Sequence, residues 1–155
     1  MQTDKFTPKP TDKTYKLCNY TFSVFSIDGF SFDKSINISS AKGVYCFTTE
    51  FNKDIVGVER KKFKKAHSLI YLGKADGNDG INGRLLSTHE HYGKIKSAKA
   101  TFLGIYECNK NDKAKEIETE ILEKYDFAIN EMENMVSSNK PTTVEEVQED
   151  ASSLR

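Results

Sequence analysis

Three short runs of aromatic and aliphatic residues limit how this chain can fold. They are GVYCFTT (43–49), SLIYLG (68–73) and ATFLGIYEC (100–108), and each pattern predicts a strand. A longer segment, NDKAKEIETEILEKYD (111–126), repeats its apolar residues at helical spacing, and Asp112 is expected to cap that helix. A shorter helix is predicted over residues 84–92, after a glycine-rich turn, with Gly93 ending it.

The segments on either side of this region differ from it in composition. Residues 1–42 form an N-terminal extension, in which Tyr20, Phe22 and Val24 share one face of a predicted strand. Residues 43–132 form the predicted core. Residues 133–155 are acidic and polar, so we expect a disordered tail there. The 155 residues fit one domain.

Charge is unevenly distributed along a chain whose formal net charge is zero. Residues 131–155 contain six acidic and two basic residues, which leaves the body of the chain with an excess of bases. A mildly basic body suits a polyanionic partner, although charge alone supports an unremarkable surface equally well.

The chain has no apolar run long enough to span a bilayer, and no apolar segment follows the charges at its start. We therefore expect no membrane association. Three scattered cysteines, Cys18, Cys46 and Cys108, form no Cys-x-x-Cys pair, which favours reduced thiols in a cytoplasmic setting.

Glu118 occupies an unusual position on the predicted long helix. At about 100° per residue, Glu118 falls about 100° from Ile117, inside the stripe that also contains Ile121 and Leu122. The other glutamates of the helix, Glu116, Glu120 and Glu123, fall on the opposite side. Burying a carboxylate on a core-facing stripe costs several kcal/mol unless it binds a metal or is paired. Glu118 is therefore either a metal ligand or a glutamate paired with a lysine.

Polar residues of chemical interest follow one another in a distinctive order. Tyr45 lies in GVY, Tyr71 and Gly73 lie in YLG, and Lys74, Arg84, His89, Glu118 and Asn130 follow. Over residues 43–130 this order resembles the GIY-YIG nuclease superfamily. The most specific pieces are YLGKA and the spacing of Glu118 and Asn130.

The resemblance implies an α/β (α+β) domain with a small, mostly antiparallel three-stranded sheet flanked by helices. It also implies a DNA endonuclease that uses Mg²⁺ or Mn²⁺ and leaves 5′-phosphate and 3′-hydroxyl ends. One carboxylate, with phosphate and water oxygens, suits such an ion. No helix-turn-helix or zinc-finger segment is appended, and in this the chain resembles the small restriction-type members.

Each matched residue takes an implied role from the family. Tyr45 would be the general base or position the water, aided by Lys74, while Tyr71 would hold the water or phosphate. Arg84 would neutralise the phosphate, as a guanidinium does well, and Glu118 would bind the metal. Gly43, Gly73 and Asn130 would support the site.

The histidine of the site is ambiguous. Many family members have histidine or tyrosine four residues after the arginine, where this chain has Thr88. His89 lies nearest to that position, whereas His91 would lie on the same face as Arg84 in a regular helix. Both therefore stay candidates.

The two half-motifs lie further apart here than is usual in the family, which implies an insertion over residues 50–67. Its basic residues, expected to contact the phosphates of double-stranded DNA, are Arg60, Lys61, Lys62, Lys64 and Lys65. A charged connecting loop is the alternative.

Two other functions compete with cleavage. One is a catalytically inactive DNA-binding module of the same fold, and the other is a protein-interaction role for the acidic tail. Cutting both DNA strands with one small site would require a homodimer or two sequential nicks. The literal Gly-Ile-Tyr at 104–106 has no second half after it, so we interpret Tyr106 as a strand residue packing beside the site and Tyr45 as the catalytic candidate.

Overall fold

The structure is a computed structural model that describes residues 5–6, 8–27, 35–36, 38–51, 66–86, 92–129 and 140–148. Within these ranges the strands are β1 (Lys5–Phe6), β2 (Lys9–Leu17), β3 (Tyr20–Ser26), β4 (Ser35–Ile36), β5 (Gly43–Phe51), β6 (Ala66–Ala75), β7 (Phe102–Glu107) and β8 (Thr143–Gln148). The helices are α1 (Gly80–Leu86), α2 (Tyr92–Ser97) and α3 (Ala114–Lys124).

Six of these strands form one antiparallel sheet that curls into a barrel, in the order β2-β3-β7-β5-β6-β8. The short strand β8 joins the two ends of the sheet, because it pairs with β2 at Tyr15↔Glu146 and with β6 at His67↔Val144. Strands β1 and β4 form a separate parallel pair.

The predicted three-stranded sheet flanked by helices is wrong. The three predicted strands exist as β5, β6 and β7, and the predicted strand containing Phe22 exists as β3. However, β3 pairs with the outer edge of β7, and β8 pairs with part of the outer edge of β6. A three-stranded sheet would leave those edge amides and carbonyls unpaired, and β3 and β8 supply their hydrogen-bond partners. Local sequence does not show that these two strands join the sheet.

The expectation of disorder over residues 133–155 is wrong for Thr143–Gln148, which form β8. Val144 is buried opposite His67, and Lys140 anchors the approach to the strand. The Lys140 ammonium donates to the carbonyl oxygen of Leu122 at 3.1 Å and lies 3.6 Å from an Asp126 carboxylate oxygen. Few apolar residues are needed in a strand whose main role is to complete the hydrogen bonding of the barrel.

The two faces of β5 lead into two different cores. Tyr45 and Phe47 join an outer cluster with Ile81 and Leu85 of α1 and Ile95 of α2. The alternate residues Val44 and Cys46 join an inner cluster, which draws side chains from all six barrel strands and from the buried stripe of α3. The period-two alternation of a strand therefore separates the outer face, which bears Tyr45, from the inner face.

Gly104 and Tyr15 make a tight contact on the inner face. A Cβ atom at residue 104 would overlap the Tyr15 hydroxyl and approach its Cζ to 2.8 Å. That hydroxyl is buried beside Cys46 and Thr48 without completing a hydrogen bond, and burial holds the pKa of Tyr15 well above its ordinary value.

We expect Gly104→Ala to reduce the free energy of unfolding by roughly 1–3 kcal/mol, because the added methyl overpacks the inner core. Urea denaturation measures this change. Gly77→Ala is the matched control, since a Cβ there meets nothing within 4 Å, and it should change stability by less than about 0.5 kcal/mol. Adding Tyr15→Phe should restore part of the loss, and an unchanged urea midpoint for Gly104→Ala would contradict the overpacking.

Candidate functional site

Tyr45 is at the centre of the candidate site, on the strand that lies between β6 and β7. It pairs with Gly73 across β6, and its ring lies directly against that glycine. A Cβ atom at residue 73 would approach the Cζ and hydroxyl oxygen of Tyr45 to 2.5 Å. The absence of a side chain at Gly73 therefore lets the tyrosine lie across the neighbouring strand.

Gly43 has a related role at the start of β5. A Cβ atom there would overlap the backbone carbonyl oxygen of Tyr106 and approach Ile81 to 3.0 Å. Glycine at this position lets β7 and α1 pack closely against the strand that carries Tyr45.

The structure brings Arg84 and Glu118 to Tyr45 from two separate helices. The Arg84 guanidinium of α1 hydrogen-bonds to the tyrosine hydroxyl, and the Glu118 carboxylate of α3 lies close enough to affect its ionisation. Tyr45 is buried, Glu118 is half-buried and Arg84 is exposed. Both charges act on the buried Tyr45 hydroxyl, and we call these three side chains a cluster on that ground.

The ionisation of Tyr45 follows from these surroundings. Burial raises its pKa to about 12, the Arg84 charge and hydrogen bond lower it, and the Glu118 carboxylate raises it. The hydroxyl is therefore neutral near physiological pH in this state. A neutral hydroxyl donates a hydrogen bond but does not accept a proton readily, which favours a positioning role over that of a general base.

Helix α3 places Glu118 by burying one face of its surface. Ala114, Ile117 and Ile121 are buried, whereas Glu116 and Glu123 are exposed. Glu118, predicted inside the apolar stripe, is half-buried at its edge, and Glu120, predicted on the opposite side, is half-buried as well. The fourth glutamate, Glu120, accepts a hydrogen bond from the Tyr20 hydroxyl at 2.8 Å.

Asp112 does not cap this helix as predicted. The N-cap residue is Lys113, which makes no side-chain capping hydrogen bond. The Asp112 carboxylate instead accepts hydrogen bonds from the Tyr106 hydroxyl at 2.7 Å and from the Asn109 amide at 3.0 Å.

Tyr71 lies on the same face of the sheet as Tyr45, with 6.4 Å between the two ring centroids. Its side chain is 7% exposed, and Tyr71 pairs with Phe47 across the strands. A β-bulge follows at Phe47/Thr48, where β6 has one residue more than β5. The predicted proximity of the two tyrosines is therefore present in the structure.

Lys74 is not placed beside the Tyr45 hydroxyl. It pairs with Val44, whose side chain lies on the inner face, and its ammonium lies 3.7 Å from an Asp76 carboxylate oxygen. Strand alternation turns consecutive residues to opposite faces, so the residue after Gly73 cannot share its orientation.

Arg84 is in the last turn of α1 rather than at the start of a helix. The predicted start at residue 84 is wrong, because α1 begins at Gly80, and the predicted end at Gly93 is wrong, because Gly93 lies within α2. Residues 87–91 lie outside the described residues. Ile81 and Leu85 are buried one turn apart, and the Asn82 side chain accepts hydrogen bonds from the Ile38 and Ser39 amides. These contacts begin the helix earlier than the sequence pattern indicates.

Arg84 and Lys74 both line an open cleft of about 320 Å³. The loop that connects β6 to α1 forms much of its wall, including Asp76, Asn78 and Asp79. We call this the Arg84 cleft. It gives a ligand access to Arg84, whereas Tyr45 and Glu118 do not line it.

Tyr106 is separated from that cluster. It pairs with Val44, so its side chain lies on the opposite face of the sheet from Tyr45. Its ring packs edge-on against Tyr20 at 5.2 Å. The prediction that Tyr106 is a strand residue is confirmed, but it packs behind the sheet and not beside Tyr45.

Several predicted site residues lie outside the described residues. They are His89, His91, Asn130, Arg60, Lys61, Lys62, Lys64 and Lys65. Their proposed roles stay predictions.

The described part of the chain contains no group of three or more His, Cys, Asp or Glu side chains that could hold a metal ion. Glu118 alone is a hard oxygen ligand at the cluster, and one carboxylate completed by phosphate and water oxygens fits the ligand preferences of Mg²⁺. Within the same ranges, none of the helices is long and apolar enough to cross a membrane.

Comparison with known proteins adds no relative to this picture, since no family model, no curated protein and no solved structure matches the chain.

Proposed function

We propose that this protein is a metal-dependent DNA endonuclease that hydrolyses phosphodiester bonds. The observation that supports this most directly is the convergence of Tyr45, Arg84 and Glu118 from one strand and two helices. Structural packing alone gives little reason to place a half-buried glutamate near a buried hydroxyl that also interacts with an arginine, because partial burial of a carboxylate costs free energy.

Arg84 would bind the scissile phosphate. Its side chain is exposed and lines the Arg84 cleft, while its fixed fork of N–H donors matches two phosphate oxygens. Holding the phosphate in this way offsets the negative charge that grows as a water oxygen attacks phosphorus.

Tyr45 would position that water. Its neutral hydroxyl can exchange the Arg84 hydrogen bond for one to the water when a phosphate occupies the guanidinium. Tyr71, on the same face, would contact the water or a phosphate oxygen. As the water oxygen bonds to phosphorus it gives up a proton to solvent, and the bond to the 3′ oxygen breaks as that oxygen takes up a proton from solvent, leaving 5′-phosphate and 3′-hydroxyl ends.

Glu118 would hold the Mg²⁺ or Mn²⁺ ion, which supplies Lewis-acid stabilisation of phosphate charge when bound. This carboxylate is half-buried, so bulk water screens its attraction for the ion less than it would at an exposed site.

A second candidate is a DNA-binding module of the same arrangement that does not cleave. The burial of Tyr45 and the orientation of Lys74 away from it favour this alternative, because neither group activates a water as the structure stands.

Incubation of the purified protein with supercoiled plasmid and Mg²⁺ distinguishes these functions. We expect nicked or linear products, and we expect Arg84→Ala to slow their formation by roughly 10²–10³-fold, as for loss of one preorganised donor. Lys96→Ala, at an exposed base on α2, is the matched control and should cut normally. DNA retention in a gel-shift assay without cleavage in Mg²⁺ or Mn²⁺ would instead establish the binding module.

A further inference from the structure

A second cleft, of about 670 Å³, lies between the start of β5 and the start of α3. Four exposed lysines line it, and we call it the lysine cleft: Lys42, Lys110, Lys113 and Lys115. The acidic residues in its lining are Asp76 and Asp112. This excess of positive charge stands out in a chain whose formal net charge is zero.

The two aspartates are already engaged with other groups. Asp112 accepts hydrogen bonds from the Tyr106 hydroxyl and the Asn109 amide, and Asp76 lies beside the Lys74 ammonium. Within the described ranges, no ion pair joins any of the four cleft lysines to a carboxylate. Their charge is therefore available to an external anion.

Helix stability does not account for the placement of these lysines. Lys113 is the N-cap residue of α3 and Lys115 lies in its first turn. Positive side chains at a helix N-terminus oppose the helix dipole, typically by a few tenths of a kcal/mol to about 1 kcal/mol each. Local rules of this kind are most often broken at functional sites.

The lysine cleft adjoins the Arg84 cleft, since Asp76 lines both. A polyanion bound at Arg84 can therefore extend past Asp76 toward the four lysines. A duplex presents phosphates at regular intervals along its backbone, so one duplex can contact Arg84 and the lysine cleft together, which a small anion cannot do.

We propose that the lysine cleft binds backbone phosphates of double-stranded DNA that flank the phosphate held by Arg84. This inference rests on the proposed function for the position of the scissile phosphate. It assigns DNA affinity to residues outside the basic insertion that the sequence pattern indicates.

The test measures duplex DNA binding by fluorescence anisotropy over a series of KCl concentrations in Ca²⁺. The variant combines Lys110→Gln, Lys113→Gln and Lys115→Gln. The slope of log affinity against log salt is negative, and each lost phosphate contact reduces its magnitude by about 0.9, so loss of three contacts should reduce the magnitude by about 2.7. Replacing the same three residues with arginine should preserve the slope.

A control variant combines Lys9→Gln, Lys16→Gln and Lys124→Gln, which are exposed lysines that line neither cleft. It removes the same charge and should leave the slope nearly unchanged. Equal slopes for the cleft variant and the unaltered protein, or equal losses in the two glutamine variants, would overturn the inference.

The same measurements separate this inference from the proposed function. Plasmid cleavage without a cleft-dependent slope would support the proposed function and contradict the inference about the lysine cleft. A cleft-dependent slope without any cleavage in Mg²⁺ or Mn²⁺ would support the inference about the lysine cleft and contradict the proposed function. Absence of any DNA affinity would overturn both.

Discussion

Replacing Glu118 with glutamine is expected to reduce DNA cleavage in Mg²⁺ by at least about 10³-fold while leaving DNA affinity close to that of the unaltered protein. Lewis-acid stabilisation of phosphate charge is worth several kcal/mol, and each 1.36 kcal/mol corresponds to a factor of ten in rate. Glutamine keeps the size of the side chain but removes the charge that would hold the ion. Single-turnover cleavage and anisotropy on the same DNA measure the two effects.

Glu123→Gln is the matched control for this prediction. Glu123 lies on the same helix and is exposed, so its substitution should leave both cleavage and affinity near their original values. If Glu118→Gln cut DNA as fast as the unaltered protein, Glu118 would not be the metal ligand. The half-buried carboxylate would then be a structural partner of its neighbours in the cluster.

Removing the hydroxyl of Tyr45 is also expected to have a large effect on cleavage. Tyr45→Phe keeps the ring that packs against Gly73 but deletes the group that hydrogen-bonds with Arg84. We expect cleavage to fall by roughly 10²-fold, a typical contribution for a positioned proton donor or acceptor. The fold should persist, since a buried phenylalanine has no polar group to satisfy.

Tyr106→Phe should give the opposite pattern. It removes the hydrogen bond from the Tyr106 hydroxyl to Asp112 on the other face of the sheet. We expect a loss of about 1 kcal/mol in the free energy of unfolding and nearly unchanged cleavage. A catalytic loss for Tyr106→Phe together with normal cutting by Tyr45→Phe would reverse the assignment of the two tyrosines.

Helical periodicity separated the half-buried Glu118 from the exposed Glu116 and Glu123, but it did not predict that Glu120 is half-buried too. The angular position of a side chain on a helix depends only on its spacing from its neighbours, so Ile117 and Ile121 define the buried side wherever the helix packs. The strands β5, β6 and β7 were likewise predicted from local sequence, in their case from short runs of aromatic and aliphatic residues. Periodicity did not predict where α1 begins, because Ile81 and Asn82 are held by contacts with distant parts of the chain.

The orientation of Lys74 could not be predicted from its proximity to Tyr71 and Gly73 in the sequence. Register between β5 and β6 pairs Tyr45 with Gly73 and therefore assigns Lys74 to the face of Val44. A shift of one residue would have exchanged every side chain between the faces, so sequence proximity alone carries no information on which residue meets the tyrosine.

The lysine cleft was also not apparent in the sequence. Lys42 lies far along the chain from Lys110, Lys113 and Lys115, and no basic run connects them. They meet because β5 and β7 are paired and the loop after β7 returns past residue 42, where the Cys108 amide donates to the Lys42 carbonyl oxygen at 2.8 Å.

By itself the sequence determined which segments form the central strands and the long helix, and which side of that helix is buried. These properties depend on residues a few positions apart. The tertiary structure alone decided that β2, β3 and β8 complete a barrel, and that Arg84 and Glu118 lie close enough to Tyr45 to affect its ionisation. Both outcomes depend on pairing between segments distant in the chain, where edge hydrogen bonds and register are satisfied only once the whole sheet has formed.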